Sequence, residues 1–335
     1  MEDHEIFPLG DVVLQSGDAL ERAHIAYKTF GALDSQGGNC IVLPTYYTGT
    51  HHSYDAMIGP DRALDPERFF IVIPDMFGNG LSSSPSLLDD PQGRARFPKI
   101  SVVDNVLCQH RLIAGHLGVK KIALAAGWSM GGIQAFHWAA MFPEMVEALL
   151  PWCATARCWP LNRVFLEGVR AALEADPVFA GGACLTSPVA GLKAFGRVYA
   201  GWAYSAAFFR EALYRDLGAA TLEEFLVAWE DEHLAWDAND LLTMLWTWAH
   251  ADIGHIPGAG GDYTVALSAI RARTLLMPCD RDSYFTVEEA EMEARHIAGA
   301  GIRTFHSAYG HCAGAPGRFT ADMDFLETAL RELLA

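Results

Sequence analysis

A serine can act as an acyl-transfer nucleophile when a histidine takes its proton and a carboxylate orients that histidine. One serine in this chain of 335 residues is set apart by its neighbours, Gly127-Trp128-Ser129-Met130-Gly131. An apolar run at 122–126 precedes it, and Ile133, Phe136 and Ala140 follow at helical spacing. A serine at so tight a strand-to-helix turn has strained backbone angles, and residues two positions away must lack bulk. Gly127 and Gly131 meet that need, and Gly132 lets the helix approach the strand. Amides at the helix start then face an anion forming at Ser129. The plainer reading is a serine that caps the helix. Partners later in the chain favour the nucleophile.

In a parallel sheet those partners must lie in loops at the carboxyl ends of strands, in the order serine, acid, histidine. Asp282 follows the strand-like run 273–278, with Asp280 competing in the same turn. Asp282 is favoured because it lies further out, where it can reach a histidine. His311 follows the run 302–306. Of the thirteen histidines, His306 lies within that run and reads as structural.

Acyl transfer also needs donors for the developing oxyanion. The Met130 amide, next to the nucleophile, is one, and Tyr47 in the loop after the third strand is the best position for another. Thr48 in that loop, Trp128 and Arg157 are the expected substrate contacts. The pair His51-His52 either touches substrate or sits solvated. His250 and His255 lack a metal-binding spacing, so no metal and no cofactor are expected.

The elements that must position these residues can be read next. Alternation over 11–30 suggests an antiparallel pair opening the sheet. Buried strands are expected at 39–44, 69–74, 122–126, 146–151, 273–278 and 302–306, with helices at 102–117 and from about 319. Thr286 with Glu289 forms a capping box. Strands separated by helices imply parallel crossovers and an α/β, doubly wound, mostly parallel sheet. Over 154–263 helical periodicity takes over and aromatic residues crowd in. This predicts an all-helical insertion, a lid, on a core made of 1–153 and 264–335.

Composition narrows the function classes. A net charge of −17 argues against nucleic acid or an anionic membrane as partner. The acidic start has no apolar run behind it, and no stretch approaches a membrane span. Seven dispersed cysteines without C-x-x-C pairs read as reduced thiols in a cytoplasm.

Beyond these readings the chain resembles the homoserine O-acetyltransferase family of the α/β-hydrolase fold over nearly its whole length. The matching stretches are Ile58-Gly59-Pro60 with Ala63-Leu64-Asp65, 127–132, Ala154-Thr155-Ala156-Arg157, Asp176-Pro177 ahead of Gly181-Gly182, Asp237-Ala238-Asn239 and Tyr309-Gly310-His311. The resemblance implies Ser129, Asp282 and His311 as triad, Tyr47 and Met130 as oxyanion donors, a helical lid over a substrate tunnel, and often a dimer through the lids. Family acetyltransferases usually carry Gly-Gly-Ser at the elbow and an aspartate after Gly-His; here Trp128 and Cys312 stand at those places. Members altered in this way look more like esterases. The expectation is a serine hydrolase acting on a small acyl ester, with acetyl transfer from acetyl-CoA to homoserine or another alcohol as the alternative. A non-catalytic relative that binds a small molecule under the lid is disfavoured by the intact serine, aspartate and histidine.

Overall fold

The computed structural model describes residues 3–90, 93–94, 96–180, 183–184 and 186–335. Gly181 and Gly182, part of one family-like stretch, lie outside the described residues. Among these residues one large sheet runs, from edge to edge, through strands at 5–13, 19–30, 70–74, 40–42, 122–128, 148–152, 273–276 and 301–302. Its first half is β1 (Glu5–Val13), β2 (Ala19–Phe30), β3 (Cys40–Val42) and β4 (Phe70–Pro74). β1 pairs antiparallel with β2, and β2 antiparallel with β4, as the alternation over 11–30 suggests. From β4 onward every pairing in the sheet is parallel.

The interior strands are buried at every residue of β3 and β4, which is why they read as unbroken apolar runs. Successive side chains of a strand point to opposite faces, and the two core clusters follow that rule. Val42, Val72 and Ala125 belong to one, and their neighbours Ile41, Ile71 and Leu124 to the other.

Helix α1 (Val102–His110) starts at Ser101, whose hydroxyl accepts from the Asp104 amide at 3.1 Å. The helical stretch expected to reach residue 117 widens into a π turn over Arg111–His116. Gly118, at a φ of +76°, ends it. β5 (Ile122–Trp128), α2 (Met130–Met141) and β6 (Ala148–Trp152) come next. The chain reaches β4 on one side of β3 and β5 on the other. That reversal opens a crevice outside the carboxyl ends of β3 and β5, where ligands bind in open α/β sheets.

Between β6 and the next large-sheet strand lie α3 (Pro160–Glu174), β7 (Phe179–Ala180), β8 (Ala183–Cys184), α4 (Val189–Ala203), α5 (Ala206–Arg210), α6 (Leu222–Leu234), α7 (Ala238–Ala249) and α8 (Tyr263–Ser268). The expectation of an all-helical insertion is corrected by β7 and β8, which form a separate antiparallel hairpin. Strands of two residues are too short to show alternation. Aromatic rings knit α3, α4, α6 and α7 together: Phe165 contacts Tyr199 and Trp248, and Tyr199 stacks on Trp229.

The sheet resumes at β9 (Arg273–Leu276). Helix α9 (Val287–Ala294) is capped by Thr286 and Glu289 in the expected reciprocal box. β10 (Gly301–Ile302) is shorter than expected, though Phe305 still bridges to Cys279 in parallel. Helix α10 (Thr320–Leu333) closes the chain.

Candidate active site

The turn between β5 and α2 holds Ser129 at φ 54° and ψ −125°, a region side-chain-bearing residues occupy only under constraint. The constraint is visible around it. The Ser129 amide donates to the Trp152 carbonyl on β6 at 3.1 Å. A Cβ on Gly127 would meet the Gly131 carbonyl carbon at 2.5 Å, and one on Gly131 would meet the Pro44 carbonyl oxygen at 2.4 Å. No side chain fits at either position. Met130 is the first residue of α2, where an amide has no intrahelical partner.

The loop after β3 carries Tyr47 and Thr48 to the same place. Thr48 has a φ of 60°, and its hydroxyl donates to the Tyr47 carbonyl at 2.6 Å. Gln134 of α2 donates to the Thr45 carbonyl at 2.7 Å, tying this loop to the helix behind Ser129.

His311 stands on a 3₁₀ turn, Gly310–Gly314. Its Nδ1 lies 2.7 Å from Oδ2 of Asp282, whose side chain is fully buried. The other Asp282 oxygen accepts the Tyr284 and Phe285 amides, each at 3.1 Å. A carboxylate only accepts, so the proton sits on Nδ1 and the lone pair on Nε2. The imidazole is wedged between Trp128 at 5.0 Å and Tyr284 at 4.6 Å between ring centroids. Asp280 goes elsewhere. It pairs with exposed His306 at 3.0 Å and accepts the Ser307 amide at 3.3 Å.

Ser129 and His311 open into one cavity of about 230 Å³. Its walls include Tyr47, Trp128, Tyr199 and Trp229, so α4 and α6 cover the serine. Among the lining residues that the sequence reading missed are His233, Glu232 and Arg318, each titratable. His233 shares its Nδ1 proton with the Trp229 carbonyl at 2.7 Å, and burial lowers its pKa, keeping it neutral. Glu232 and Arg318 are exposed and sit at the rim. The one signal for Glu232 and His233 was the helical register with Trp229.

One expected substrate contact, Arg157, and both alternatives for His51, a substrate contact or a solvated loop residue, are corrected. Arg157 is not brought to the cavity: it pairs with Asp252 at 2.9 Å and lies over the rings of Trp159 and Tyr263. Its guanidinium is held toward Asp252 and two rings, none of which lines the cavity. His51 is buried, with Nδ1 at 2.6 Å from Asp75, away from the cavity lining. Its neighbour His52 is half exposed.

Known proteins resemble this chain over nearly its whole length. Residues 41–166 match the alpha/beta hydrolase fold family. An ethyl acetate hydrolase of Pseudomonas veronii is 32% identical over 99% of this chain and 95% of its own. This chain belongs to the α/β-hydrolase family. A homoserine O-acetyltransferase of Trichormus variabilis is 30% identical over 90% of the chain and 86% of its own, so both kinds of enzyme are among the relatives. The crystal structure of the acetyl esterase MekB superposes with a TM-score of 0.94 at 32% identity, covering 99% of this chain and 96% of that one. In this α/β-hydrolase the residue after His311 is Cys312, a buried thiol whose pKa burial pushes up to about 12. It offers the cavity no charge. No helix among the described residues is long and apolar enough to cross a membrane.

Proposed function

We propose that the chain is a serine esterase that hydrolyses esters of short acyl groups through an acyl-Ser129 intermediate. The observation that carries this reading is the buried Asp282–His311 pair opening, with Ser129, into a small aromatic-walled cavity.

Ser129 Oγ attacks the ester carbonyl carbon while His311 Nε2 takes its proton. Asp282 holds the imidazole in that tautomer and stabilises the imidazolium. The carbonyl oxygen becomes an oxyanion facing the Met130 and Tyr47 amides, each such donor contributing about 3–4 kcal/mol to the transition state. Collapse breaks the bond to the alcohol, which leaves with the proton from His311. Water then attacks the acyl-serine, His311 takes its proton, and the acid departs as Ser129 regains a hydrogen. Residues 154–263 act as a lid on a core of 1–153 and 264–335, a reading supported by Tyr199 and Trp229 in the cavity wall. Trp128 and Thr48 shape the acyl site.

One observation favours a second reading, acetyl transfer from acetyl-CoA to homoserine. Glu232 and Arg318 place opposite charges at the rim, suited to an ammonium and a carboxylate. Both are exposed, however, and the residues beside His311 (Cys312, Ala313, Gly314) are buried without charge. Water thus faces little competition for the acyl-enzyme, and hydrolysis is the better-supported outcome.

The chain is read as acting in a reducing cytoplasm, since its seven cysteines are free. A homodimer through the lid is supported by exposed Leu161, Val164 and Val189 on α3 and α4.

The deciding experiment supplies p-nitrophenyl acetate, ethyl acetate and acetyl-CoA to purified protein with and without homoserine. Acetate release from the esters, unaffected by homoserine and lost in Ser129→Ala, is expected. Acetyl-CoA consumption that requires homoserine and yields O-acetylhomoserine would overturn the hydrolase reading.

A further inference from the structure

We infer that Asp3, His51 and His52 form a binding site for a divalent late first-row metal ion of the zinc type, separate from the cavity at Ser129. Their ligand atoms, a carboxylate oxygen and two imidazole nitrogens, all lie within 4.8 Å of one another.

His51 is 2% exposed, and its Nε2 is buried without a hydrogen-bond partner. An imidazole nitrogen rarely remains unused in such a place. Asp3 Oδ1 is 3.5 Å from it, beyond a hydrogen bond, and 3.2 Å from Nε2 of His52. Two ligands bound about 2.0–2.1 Å from a tetrahedral zinc ion stand roughly 3.3 Å apart. Both separations suit a shared ion. His52, half exposed, has freedom to close the remaining gap to His51.

The surroundings match what metal-binding histidines require. Such a histidine commonly gives its other ring N–H to a carboxylate, which fixes the tautomer and raises its basicity. Here both do: Nδ1 of His51 lies 2.6 Å from Asp75, and Nδ1 of His52 lies 2.8 Å from Asp55. Asp75 is itself fixed by Asn79, which donates to its second oxygen at 2.8 Å. Lys28 pairs with Oδ2 of Asp3 at 3.0 Å and lies 3.6 Å from Asp55, leaving Oδ1 of Asp3 for the ion. Three carboxylates (Asp3, Asp55 and Asp75) against one ammonium leave an excess of negative charge around the two imidazoles, which suits a dication. Two nitrogens and one oxygen favour zinc and its neighbours over magnesium or calcium.

The site joins distant parts of the chain. Asp3 precedes β1, whereas His51 and His52 follow the loop that carries Tyr47 and Thr48. Asn79 also donates to the Gly49 carbonyl at 3.3 Å, so the His51–Asp75–Asn79 network reaches that loop directly. A bound ion would clip the amino-terminal segment to the turn behind one oxyanion donor.

The test uses the full chain without an affinity tag, stripped with chelator and titrated with Zn²⁺ by calorimetry and thermal melting. One equivalent should bind tightly and raise the Tm, with Mg²⁺ at the same concentration having no effect. His52→Gln and Asp3→Asn, both at exposed positions, should fold to the same circular dichroism spectrum and lose that equivalent. Asp55→Asn should bind zinc roughly 10–100-fold more weakly. Absence of binding to the unaltered chain, equal Tm shifts with Mg²⁺, or unchanged zinc binding in His52→Gln and Asp3→Asn would overturn the site. His51 would then hold a proton between Asp75 and Asp3.

Discussion

The Trp128 indole lies against the His311 imidazole, 5.0 Å between ring centroids and inclined by 25°, and its N–H donates to the His311 carbonyl at 3.3 Å. The residue before the proposed nucleophile, Ser129, therefore holds both the ring and the backbone of the proposed base. Trp152 supports the same turn by donating to the Gly314 carbonyl at 2.7 Å. A Cβ on Gly314 would meet both indoles at 2.8 Å, so the turn is closed tightly on them.

This relationship makes Trp128 a positioning residue. Trp128→Phe keeps a ring against His311 but removes the donor. A lost hydrogen bond of about 0.5–1.5 kcal/mol converts to a fall in kcat of roughly two- to tenfold. KM for a short ester should move little. Trp128→Gly also removes the stacked ring and should cost more, while admitting larger acyl groups. Unchanged kcat in both variants, measured on p-nitrophenyl acetate, would show that His311 needs no support from the indole.

The two aspartates of one turn should separate cleanly. Asn at position 282 can present an amide N–H to His311 and favour the wrong tautomer, a change that lowers kcat by about 10⁴ in serine triads. Asp280→Asn alters a half-exposed pair with His306 and should leave activity within about threefold, since exposed ion pairs contribute roughly 0–1 kcal/mol. Steady-state kinetics on both variants, with folding checked by circular dichroism, test the assignment. Equal losses would mean that Asp280 also reaches the reacting groups.

Much of this arrangement was legible because its chemistry demands particular residues at particular places. The glycines around Ser129 are required by contacts of 2.4–2.5 Å that any side chain would violate. Serine, aspartate and histidine had to follow strands, and the buried strands announce themselves as apolar runs. What escaped depends on side-chain reach. Arg157 lies in a stretch that resembles the family, yet pairs with Asp252, 95 positions away in sequence. Glu232 and Arg318 line one cavity from positions 86 residues apart in sequence, and periodicity does not report on such proximity. His51 looked like a solvated loop residue until Asp75, on the neighbouring strand's carboxyl end, accounted for its burial.

Acyl length should be sharply limited. A cavity of about 230 Å³ lies below the roughly 300–1,000 Å³ of sites for drug-sized ligands, and rigid rings form its walls. Catalytic efficiency on p-nitrophenyl esters is expected to be highest for acetyl or propionyl and to fall at least tenfold by octanoyl. Tyr199→Ala, which removes one wall, should shift the preference toward longer chains. A flat profile from acetyl to octanoyl in the unaltered enzyme would mean that the helices open freely over Ser129.

Stability should depend on pH through Glu293, a residue outside the reaction. Its carboxyl group is fully buried, and burial pushes its pKa up to about 8 despite hydrogen bonds from the Trp159 indole and the Ala156 amide, at 2.9 Å each. The unfolded chain would release that proton near the ordinary value of 4.5. Between those two values the folded state binds more protons than the unfolded state, so stability falls as pH rises. The contribution is complete below about 4.5 and lost as pH passes about 8. Other groups add their own slopes, so the comparison must be with a variant. Glu293→Gln cannot ionise and can still accept from both donors through its carbonyl. Its Tm should therefore fall less than that of the unaltered chain between pH 5.5 and 8.5, measured by calorimetry at fixed ionic strength. Parallel Tm curves for the two proteins would place the ionisation of Glu293 outside that range and remove it as the source of the slope.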